Sequence, residues 1–332
     1  MLKRILVPLD GSERAERGLA LAARLARGAG AELLLARIVS LPPVPLAPYG
    51  EPAQIALALI AQATHDADGY LKDVAQRPLL QGIPVQTRTI EGHVTTDILN
   101  TARDERCDLI VVTTHGYSGF NRWRLGRVAA QVARHAPVPV LIAPARDGHL
   151  AIGEAATNIR ILVALDGSEL AEAALAPALD VARSLAATEH ITVHLLEVVE
   201  FFAVMMADTT REASLSMPAI GAEEQALQAA RDYLATVAQR IRQELPGATV
   251  TAAALLGADV ATTISEIAEG EPRFDIIAMA THGRGGLQRW ALGSITERVL
   301  HATHLPLIIA RSPGAIAHDE QVTEAADESG AR

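Results

Sequence analysis

Residues 4–26 read RILVPLDGSERAERGLALAARLA, and this stretch decides the fold of the chain. It opens with a short apolar run, rich in branched side chains, which predicts a strand buried on both faces. Ser12 is a suitable N-cap, and apolar residues then recur at helical spacing from Glu13 to Arg27. The stretch therefore predicts a strand, a turn at Asp10-Gly11-Ser12 and a helix, which together open an α/β sheet.

The same pattern occurs again at residues 160–182, as RILVALDGSELAEAALAPALDVA. Two copies of one domain are the simplest explanation for a chain of 332 residues. We predict a first domain over residues 1–144, a polar, glycine-bearing linker over 145–158 and a second domain over 159–311. The acidic tail, residues 312–332, has few large apolar side chains and is predicted to be disordered.

Strands and helices alternate through each copy. In the first copy we expect strands at 31–39, 83–91, 108–114 and 138–143, and helices at 54–80, 95–105 and 127–135. Such alternation implies right-handed crossovers and a parallel sheet covered on both faces. The predicted fold class is α/β, with two tandem Rossmann-like domains, each a five-stranded parallel sheet of order 3-2-1-4-5. A ligand is expected at the carboxyl ends of strands 1 and 4, where that order reverses.

A second repeated stretch follows strand 4, where the ligand is expected. Residues 113–127 read TTHGYSGFNRWRLGR, and residues 280–294 read ATHGRGGLQRWALGS. Both lead through glycine-rich backbone into a helix, whose first N–H groups and dipole favour a phosphate. The carboxylates of Asp10 and Asp166, which follow strand 1, would repel a phosphate but can accept hydrogen bonds from a ribose or base. The pattern predicts a nucleotide across the strand ends, although the chain has no P-loop motif and no GxGxxG after its first strand.

The glycine spacing resembles the nucleotide-binding signature of the ATP-binding branch of the universal stress protein family. That signature is G-x-x-G, nine residues, then G-[ST]. Here nine residues separate Gly283 from Gly293-Ser294, and nine separate Gly116 from Gly126-Arg127. VPLDGS and VALDGS also look like the opening of that family. The resemblance implies a tandem member of HUP-type fold that binds ATP, ADP or AMP, with Mg²⁺ carried by the phosphates.

The resemblance also implies which residues bind the nucleotide. Asp166 would meet the adenine or ribose, Val198 would line the base pocket, and Gly283, Gly293 and Ser294 would hold the phosphates. The full set implied is, in the second copy, Ala164, Leu165, Asp166, Val198, Ala280, Thr281, His282, Gly283, Arg284, Gly293, Ser294 and Ile295, and in the first copy Pro8, Leu9, Asp10, Ile38, Thr113, His115, Gly116, Gly126 and Arg127.

The first copy departs from the signature, so we predict that the second domain is the stronger site. Thr113 stands where the signature has its first glycine, and Arg127 stands where it has serine or threonine. An arginine at a helix N-terminus is disfavoured by about 0.3–1 kcal/mol. Arg127, with Arg122 and Arg124, either grips phosphate directly or belongs to the solvated surface of a decayed site. Asp10 and its counterpart in the second copy either touch the ligand or only cap the following helix.

No catalytic residue is predicted, and at most slow hydrolysis of ATP is expected. His115 and His282 lack an evident nucleophile or paired carboxylate, so they are expected to orient the loop. Trp123 and Trp290 are expected to pack against the last helix rather than to stack on a base. No His/Cys cluster indicates a metal bound by the protein itself.

The composition narrows the class of protein. A net charge of −10 argues against general nucleic-acid binding, and no apolar run is long enough to span a bilayer. The single cysteine, Cys107, fits a reducing compartment and is predicted to be a packed thiol. We therefore expect a cytoplasmic protein.

The predicted function is that of an adenine-nucleotide-binding stress sensor or adaptor with an unknown protein partner. One alternative is a family member that binds no nucleotide and acts as an interaction module. Another is an ATP-using enzyme of a related α/β fold, but such an ATP pyrophosphatase should show SGGxDS where this chain has PLDGSE and ALDGSE. The resemblance also implies an internal pseudo-dimer through the last strands, VPVLIA and LPLIIA, with further homodimerisation left open.

Overall fold

The computed structural model describes residues 1–40, 51–114, 126–144, 158–185, 190–200, 221–281 and 292–311. The chain divides into two compact units, Met1–Leu150 with Arg183–Ala187, and Ala151–Ala182 with Thr188–Arg332. Within the described ranges, no helix combines the length and the apolar character needed to cross a membrane.

The first unit is built around one parallel sheet. Its strands are β1 (Arg4–Pro8), β2 (Glu32–Ser40), β3 (Val85–Gly92), β4 (Leu109–Thr113) and β5 (Val140–Ala143), and its helices are α1 (Glu13–Glu16), α2 (Gly18–Ala29), α3 (Glu51–Ala75), α4 (Val94–Asp104) and α5 (Arg127–His135). The strand order is β3-β2-β1-β4-β5. Right-handed crossovers place α1 to α3 on one face of the sheet and α4 and α5 on the other.

The second unit repeats this architecture, except that a 3₁₀ helix, Ala171–Ala174, stands before α6 in the place of α1. Its strands are β6 (Asn158–Leu165), β7 (His190–Glu200), β8 (Thr249–Gly257), β9 (Ile276–Ala280) and β10 (Leu307–Ala310), and its helices are α6 (Leu175–Leu185), α7 (Ala222–Glu244), α8 (Val260–Glu269) and α9 (Ser294–Ala302). The parallel order is β8-β7-β6-β9-β10, which is again 3-2-1-4-5. The predicted fold class and strand order are confirmed in both units.

Two predicted helices were wrong in detail. The helix expected over Glu13–Arg27 is two helices, α1 and α2, that meet at Arg17. A Cβ at Gly18, the first residue of α2, would lie 3.1 Å from Thr113 Cγ2, so the chain passes close to the end of β4 there. The helix expected over 54–80 ends at Ala75 and is followed by a separate 3₁₀ turn at Pro78–Leu80, because proline cannot continue the preceding helix.

The core of the first unit lies between α2 and the central strands. Leu33, Leu34 and Leu35 of β2 have no exposed surface, and the helix buries Leu19, Leu21 and Leu25 against the sheet. Gly30 ends α2 in the left-handed region, at φ 65°, where glycine carries no steric penalty.

The reactivity of Cys107, which lies just before β4, provides a test of how tightly this core is packed. The thiol is buried, and burial raises its pKa from 9.0 to about 12. Because the thiolate is the reactive form, we expect an aromatic disulfide reagent at pH 8 to label the native chain at least about a thousandfold more slowly than the chain unfolded in guanidinium. Stopped-flow absorbance measures both rates. Stoichiometric labelling of the native chain at the unfolded rate would contradict a packed thiol.

Candidate functional site

A hydrogen-bonded turn follows the first strand of the first unit. Asp10 Oδ1 accepts from Ser12 N at 2.9 Å and from Ser12 Oγ at 2.6 Å. Ser12 Oγ in turn accepts from Ala15 N at 3.2 Å and thereby caps α1. Gly11 makes the turn possible, because its φ of 86° lies in the left-handed region. The carboxylate of Asp10 therefore orients the serine that begins the helix.

The second unit repeats the turn almost atom for atom. Asp166 Oδ1 accepts from Ser168 N at 3.0 Å and from Ser168 Oγ at 2.6 Å, and Ala171 N donates to Ser168 Oγ at 3.1 Å. Gly167 has a φ of 78°. Asp10 thus supports the start of α1, and Asp166 orders the turn that leads into the 3₁₀ helix at Ala171–Ala174, each through one carboxylate oxygen. Contact of these carboxylates with a ligand stays a prediction.

The second part of the candidate site is the start of α9, which is hydrogen-bonded to the end of β9. Gly293 N donates to Thr281 O at 2.8 Å, and Thr296 Oγ1 donates to Ala280 O at 2.9 Å. A Cβ at Gly293 would lie 2.2 Å from Thr281 O, so only glycine fits here. Gly293 is also the N-cap and brings no side chain to the N–H groups of the first helical turn. Since β9 neighbours β6, this helix start and Asp166 share one edge of the sheet.

The first unit places its counterpart in the same way. Gly126 is the N-cap of α5, and Arg127 is the first residue of that helix. Thr113 ends β4 and is half-buried, whereas Arg127 is exposed. The exposure of Arg127 is compatible with both roles predicted for it, a direct phosphate contact and a solvated surface position.

One residue near the end of the second strand of each unit is predicted to line the base pocket. Ile38 in β2 is half-buried, and Val198 in β7 is 9% exposed. A Cβ at Gly257, the last residue of β8, would lie 2.7 Å from Val198 Cγ1. The close approach of β8 therefore holds Val198 in place at the carboxyl edge of the second sheet.

The structure brings most of the predicted site residues to the carboxyl edges of the two sheets. Those at the first edge are Pro8, Leu9, Asp10, Ile38, Thr113, Gly126 and Arg127, and those at the second are Ala164, Leu165, Asp166, Val198, Ala280, Thr281, Gly293, Ser294 and Ile295. Predictions for a further group lie outside the described residues, namely those for His115, Gly116, Arg122, Trp123, Arg124, His282, Gly283, Arg284 and Trp290.

A group that the sequence analysis missed ties α1 to α3. Glu16 of α1 accepts from Tyr70 OH at 2.9 Å and from Arg77 Nη1 and Nη2 at 2.8 and 3.0 Å. The hydrogen bonds from Arg77 lower the pKa of Glu16, although burial opposes the shift. Burial and the hydrogen bond to Glu16 raise the pKa of Tyr70. We call this group the first clamp.

The second unit has an equivalent group, the second clamp. Tyr233 OH donates to Glu172 Oε1 at 3.2 Å, and Arg240 Nη2 donates to Glu172 Oε2 at 2.5 Å. In both copies the tyrosine and the arginine are seven residues apart, and the glutamate lies four residues after the serine of the turn. That repeated spacing is the signal by which the clamps could have been found. The clamps fix the helix that begins at each turn.

The first clamp predicts a pH-dependent contribution to stability. Because the folded-state pKa of Glu16 is lowered, its stabilisation is present above the unfolded-state pKa and is lost as pH falls through the folded-state value. We expect Glu16→Gln to lower the free energy of unfolding by about 1 kcal/mol at pH 7, and the difference from the wild type to shrink below about pH 4. Urea unfolding across this pH range measures it. Glu13→Gln, at an exposed position of the same helix, is the matched control, and an equal loss in both variants would contradict the clamp.

Comparison with known proteins identifies the family of this chain. The sequence profile of the universal stress protein family matches residues 1–144 and again residues 158–311. The chain therefore belongs to the universal stress protein family, and it carries the family domain twice.

Individual relatives agree with this assignment. A universal stress protein of Mycobacterium tuberculosis strain H37Rv is 28% identical over 210 residues, which cover 61% of this chain and 62% of that relative. A universal stress protein of Methanocaldococcus jannaschii is 30% identical over 143 residues, which cover 43% of this chain and 82% of that relative. The chain thus spans less than two thirds of the length of the mycobacterial relative.

A solved structure shows the same fold over nearly the whole chain. The crystal structure of a universal stress protein from Archaeoglobus fulgidus DSM 4304 superposes with a TM-score of 0.64, at 20% identity, over 93% of this chain and 98% of that one. This likeness establishes the architecture.

Proposed function

We propose that this tandem universal stress protein binds an adenine nucleotide, ATP, ADP or AMP, and acts as a stress-response sensor or adaptor. One observation carries the proposal: in the second unit, an Asp-Gly-Ser turn and a glycine-capped helix start share the carboxyl edge of one parallel sheet. The order of that sheet reverses between these two elements, which is where doubly wound folds bind ligands.

The chemistry of the two elements suits the two ends of a nucleotide. The first N–H groups of α9, with the exposed Ser294 hydroxyl, suit phosphate oxygens. The carboxylate of Asp166 suits the hydroxyl or amino donors of a ribose or base and would repel phosphate. Mg²⁺ would be held by the phosphates, because the described residues contain no group of three or more His, Cys, Asp or Glu side chains placed to hold a metal ion.

An exposed apolar surface supports the adaptor role. Ile55, Leu57 and Leu59, near the start of α3, are 60%, 67% and 63% exposed. Thr64 Oγ1 donates to Glu91 Oε1 at 2.7 Å, which places Thr64 level with the end of β3. The earlier residues of α3 therefore extend past the carboxyl edge of the first sheet, the edge that holds the site. Large exposed apolar side chains of this kind suit contact with a protein partner.

The nucleotide content of the purified protein tests the proposal. The protein is denatured and its adenine nucleotide is measured by chromatography, as moles per chain. About one nucleotide per chain is expected, held by the second unit. About two would show that the first unit binds as well, with Arg127 in place of serine. None, with none taken up from ATP and Mg²⁺, would overturn the proposal in favour of a module that binds only proteins.

A further inference from the structure

A groove runs between α7 and β8, the edge strand of the second sheet. Among the described strands, β8 is the last in the sheet order and pairs only with β7, so one side of its backbone has no neighbouring strand. The groove encloses about 310 Å³, and Arg231 and Arg242 are the first and last residues of α7 that line it. Small side chains form most of the remaining lining, namely Ala235, Ala238, Ala252, Ala253 and Ala254. The groove therefore combines an open strand edge, an apolar floor and two cations.

The equivalent place in the first unit is bridged by a hydrogen bond between helix and strand. Thr89 Oγ1 of β3 donates to Asp68 Oδ1 of α3 at 3.2 Å. Counted from the tyrosines of the two clamps, Arg231 occupies the position of Asp68. The strand registers place Ala254 at the position of Thr89. The change from aspartate and threonine to arginine and alanine therefore opens the groove and reverses the charge beside it.

Both arginines of the groove can offer N–H donors to a ligand. Arg231 Nη1 lies 3.4 Å from Glu224 Oε1, and these two side chains are 48% and 75% exposed. Such an exposed pair is weak, so a carboxylate of a ligand can take the place of Glu224. Arg242 Nη2 donates to Val250 O at 2.8 Å, which holds the guanidinium at the start of β8. The groove thus presents a cation near each of its ends.

We propose that this groove binds an extended acidic segment of a partner protein, which adds to β8 as a further strand. The proposal rests on the adaptor role proposed above and does not involve the nucleotide site. An open sheet edge binds an extended peptide through main-chain hydrogen bonds, and the pockets beside it select the alternate side chains. Since successive side chains of a strand point to opposite faces, every second residue of the segment would face α7.

The spacing of the two arginines defines the segment that fits. Arg231 and Arg242 are eleven residues apart in α7, which corresponds to about 16 Å along a helix. Residues four apart in a strand share a face and lie about 13 Å apart, within reach of both long side chains. The alanine floor between the arginines suits a small side chain. The fitting segment therefore has two acidic residues four apart and a small residue midway between them.

The charges favour an acidic partner over a second copy of this chain. Two-fold antiparallel pairing of β8 with itself would bring Arg231 of one copy toward Arg242 of the other. Like charges placed across a strand pair are destabilising. An acidic segment instead brings the opposite charge to both arginines.

Fluorescence anisotropy of labelled synthetic peptides, titrated with the full chain, tests the proposal. The peptide TTETATETT carries its two acids on one face, TTKTATKTT reverses their charge, and TTETAETTT places them on opposite faces. The first peptide should bind at least about tenfold more tightly than either of the others. Methylation of two adjacent central backbone nitrogens should also weaken its binding at least about tenfold, because one of the two N–H groups faces β8 in either register.

Variants of the chain locate the binding to the groove. Arg231→Gln should weaken the binding of TTETATETT about fivefold to tenfold. Ala254→Thr, which introduces the residue of the first unit, should also weaken it. Lys72→Gln is the matched control, because Lys72 is 64% exposed on the equivalent helix of the first unit, and it should leave the affinity within about twofold.

Several outcomes would overturn the proposal. These are a wild type that binds none of the peptides, equal binding of the acidic and basic peptides, and equal affinities of Arg231→Gln and the control. Binding seen only after removal of residues 312–332 would assign the groove to the acidic tail of the chain itself instead of a partner. A dimer in sedimentation that Ala254→Lys dissociates would assign the edge to a second copy. Thermal unfolding checks the fold of each variant, and the peptide comparison on the wild type decides the matter if a variant does not fold.

The nucleotide content of the same proteins separates this inference from the nucleotide site. Arg231→Gln should carry as much adenine nucleotide as the wild type, because the groove lies outside the site residues. Loss of peptide binding with unchanged nucleotide content would therefore concern the groove alone, whereas absence of nucleotide from the wild type would concern the proposed nucleotide binding.

Discussion

Replacing Gly293 with alanine is expected to weaken ATP binding in the second unit by at least about tenfold and to lower the free energy of unfolding by about 1–3 kcal/mol. The new Cβ would lie 2.2 Å from Thr281 O, and neither atom can rotate away because both are fixed to the backbone. The start of α9 must therefore move off β9, which breaks the hydrogen bond from Gly293 N to Thr281 O. Calorimetric titration with ATP and Mg²⁺, and urea unfolding, measure the two effects.

Gly247→Ala is the matched control in the same unit. No atom lies within 4 Å of a Cβ built there, and Gly247 is exposed in the turn before β8. We expect it to change the free energy of unfolding by less than about 0.5 kcal/mol and to leave ATP binding unchanged. If Gly293→Ala bound ATP as tightly as this control, the start of α9 would not be the phosphate site.

The sequence predicted the sheet well because the evidence for it is local and occurs twice. Strands 1, 4 and 5 of each copy are short apolar runs between turn residues, and the repeat predicts the same order in both copies. The boundary between α1 and α2 was missed because Arg17, which lies between them, has helical backbone angles and is not a turn-forming residue. The end of α3 was missed although Pro78 was a readable stop signal.

The predicted and the missed parts of the site also differ in whether their evidence is local in the sequence. The turn at Asp10 and the glycine before α5 lie within short motifs, so their positions followed from the sequence. The clamps depend on how the long helix after strand 2 lines up with the first turn. The partners of each clamp come from segments far apart in the chain, so no single short motif contains them.

Asp166→Ala is the second change with a large expected effect, a loss of about tenfold to a hundredfold in the ATP affinity of the second unit. Hydrogen bonds to a charged group contribute about 1.5–3 kcal/mol, which corresponds to that range. The free energy of unfolding should also fall, by about 1 kcal/mol, because Asp166 Oδ1 positions the capping hydroxyl of Ser168 at 2.6 Å. Calorimetric titration with ATP and urea unfolding separate the two losses.

Two further variants decide whether the aspartate touches ligand or only supports the helix. Ser168→Ala removes the cap that Ala171 N uses and keeps the carboxylate, so it should cost about 1 kcal/mol of stability and change ATP affinity less than about threefold. Asp166→Asn keeps an oxygen that accepts from Ser168 and removes the charge, so it should lose affinity with little loss of stability. If instead Ser168→Ala lost as much affinity as Asp166→Ala, while Asp166→Asn bound normally, the carboxylate would serve the helix alone. Asp10→Ala and Ser12→Ala give the same comparison in the first unit, where the turn is present and the helix start carries an arginine.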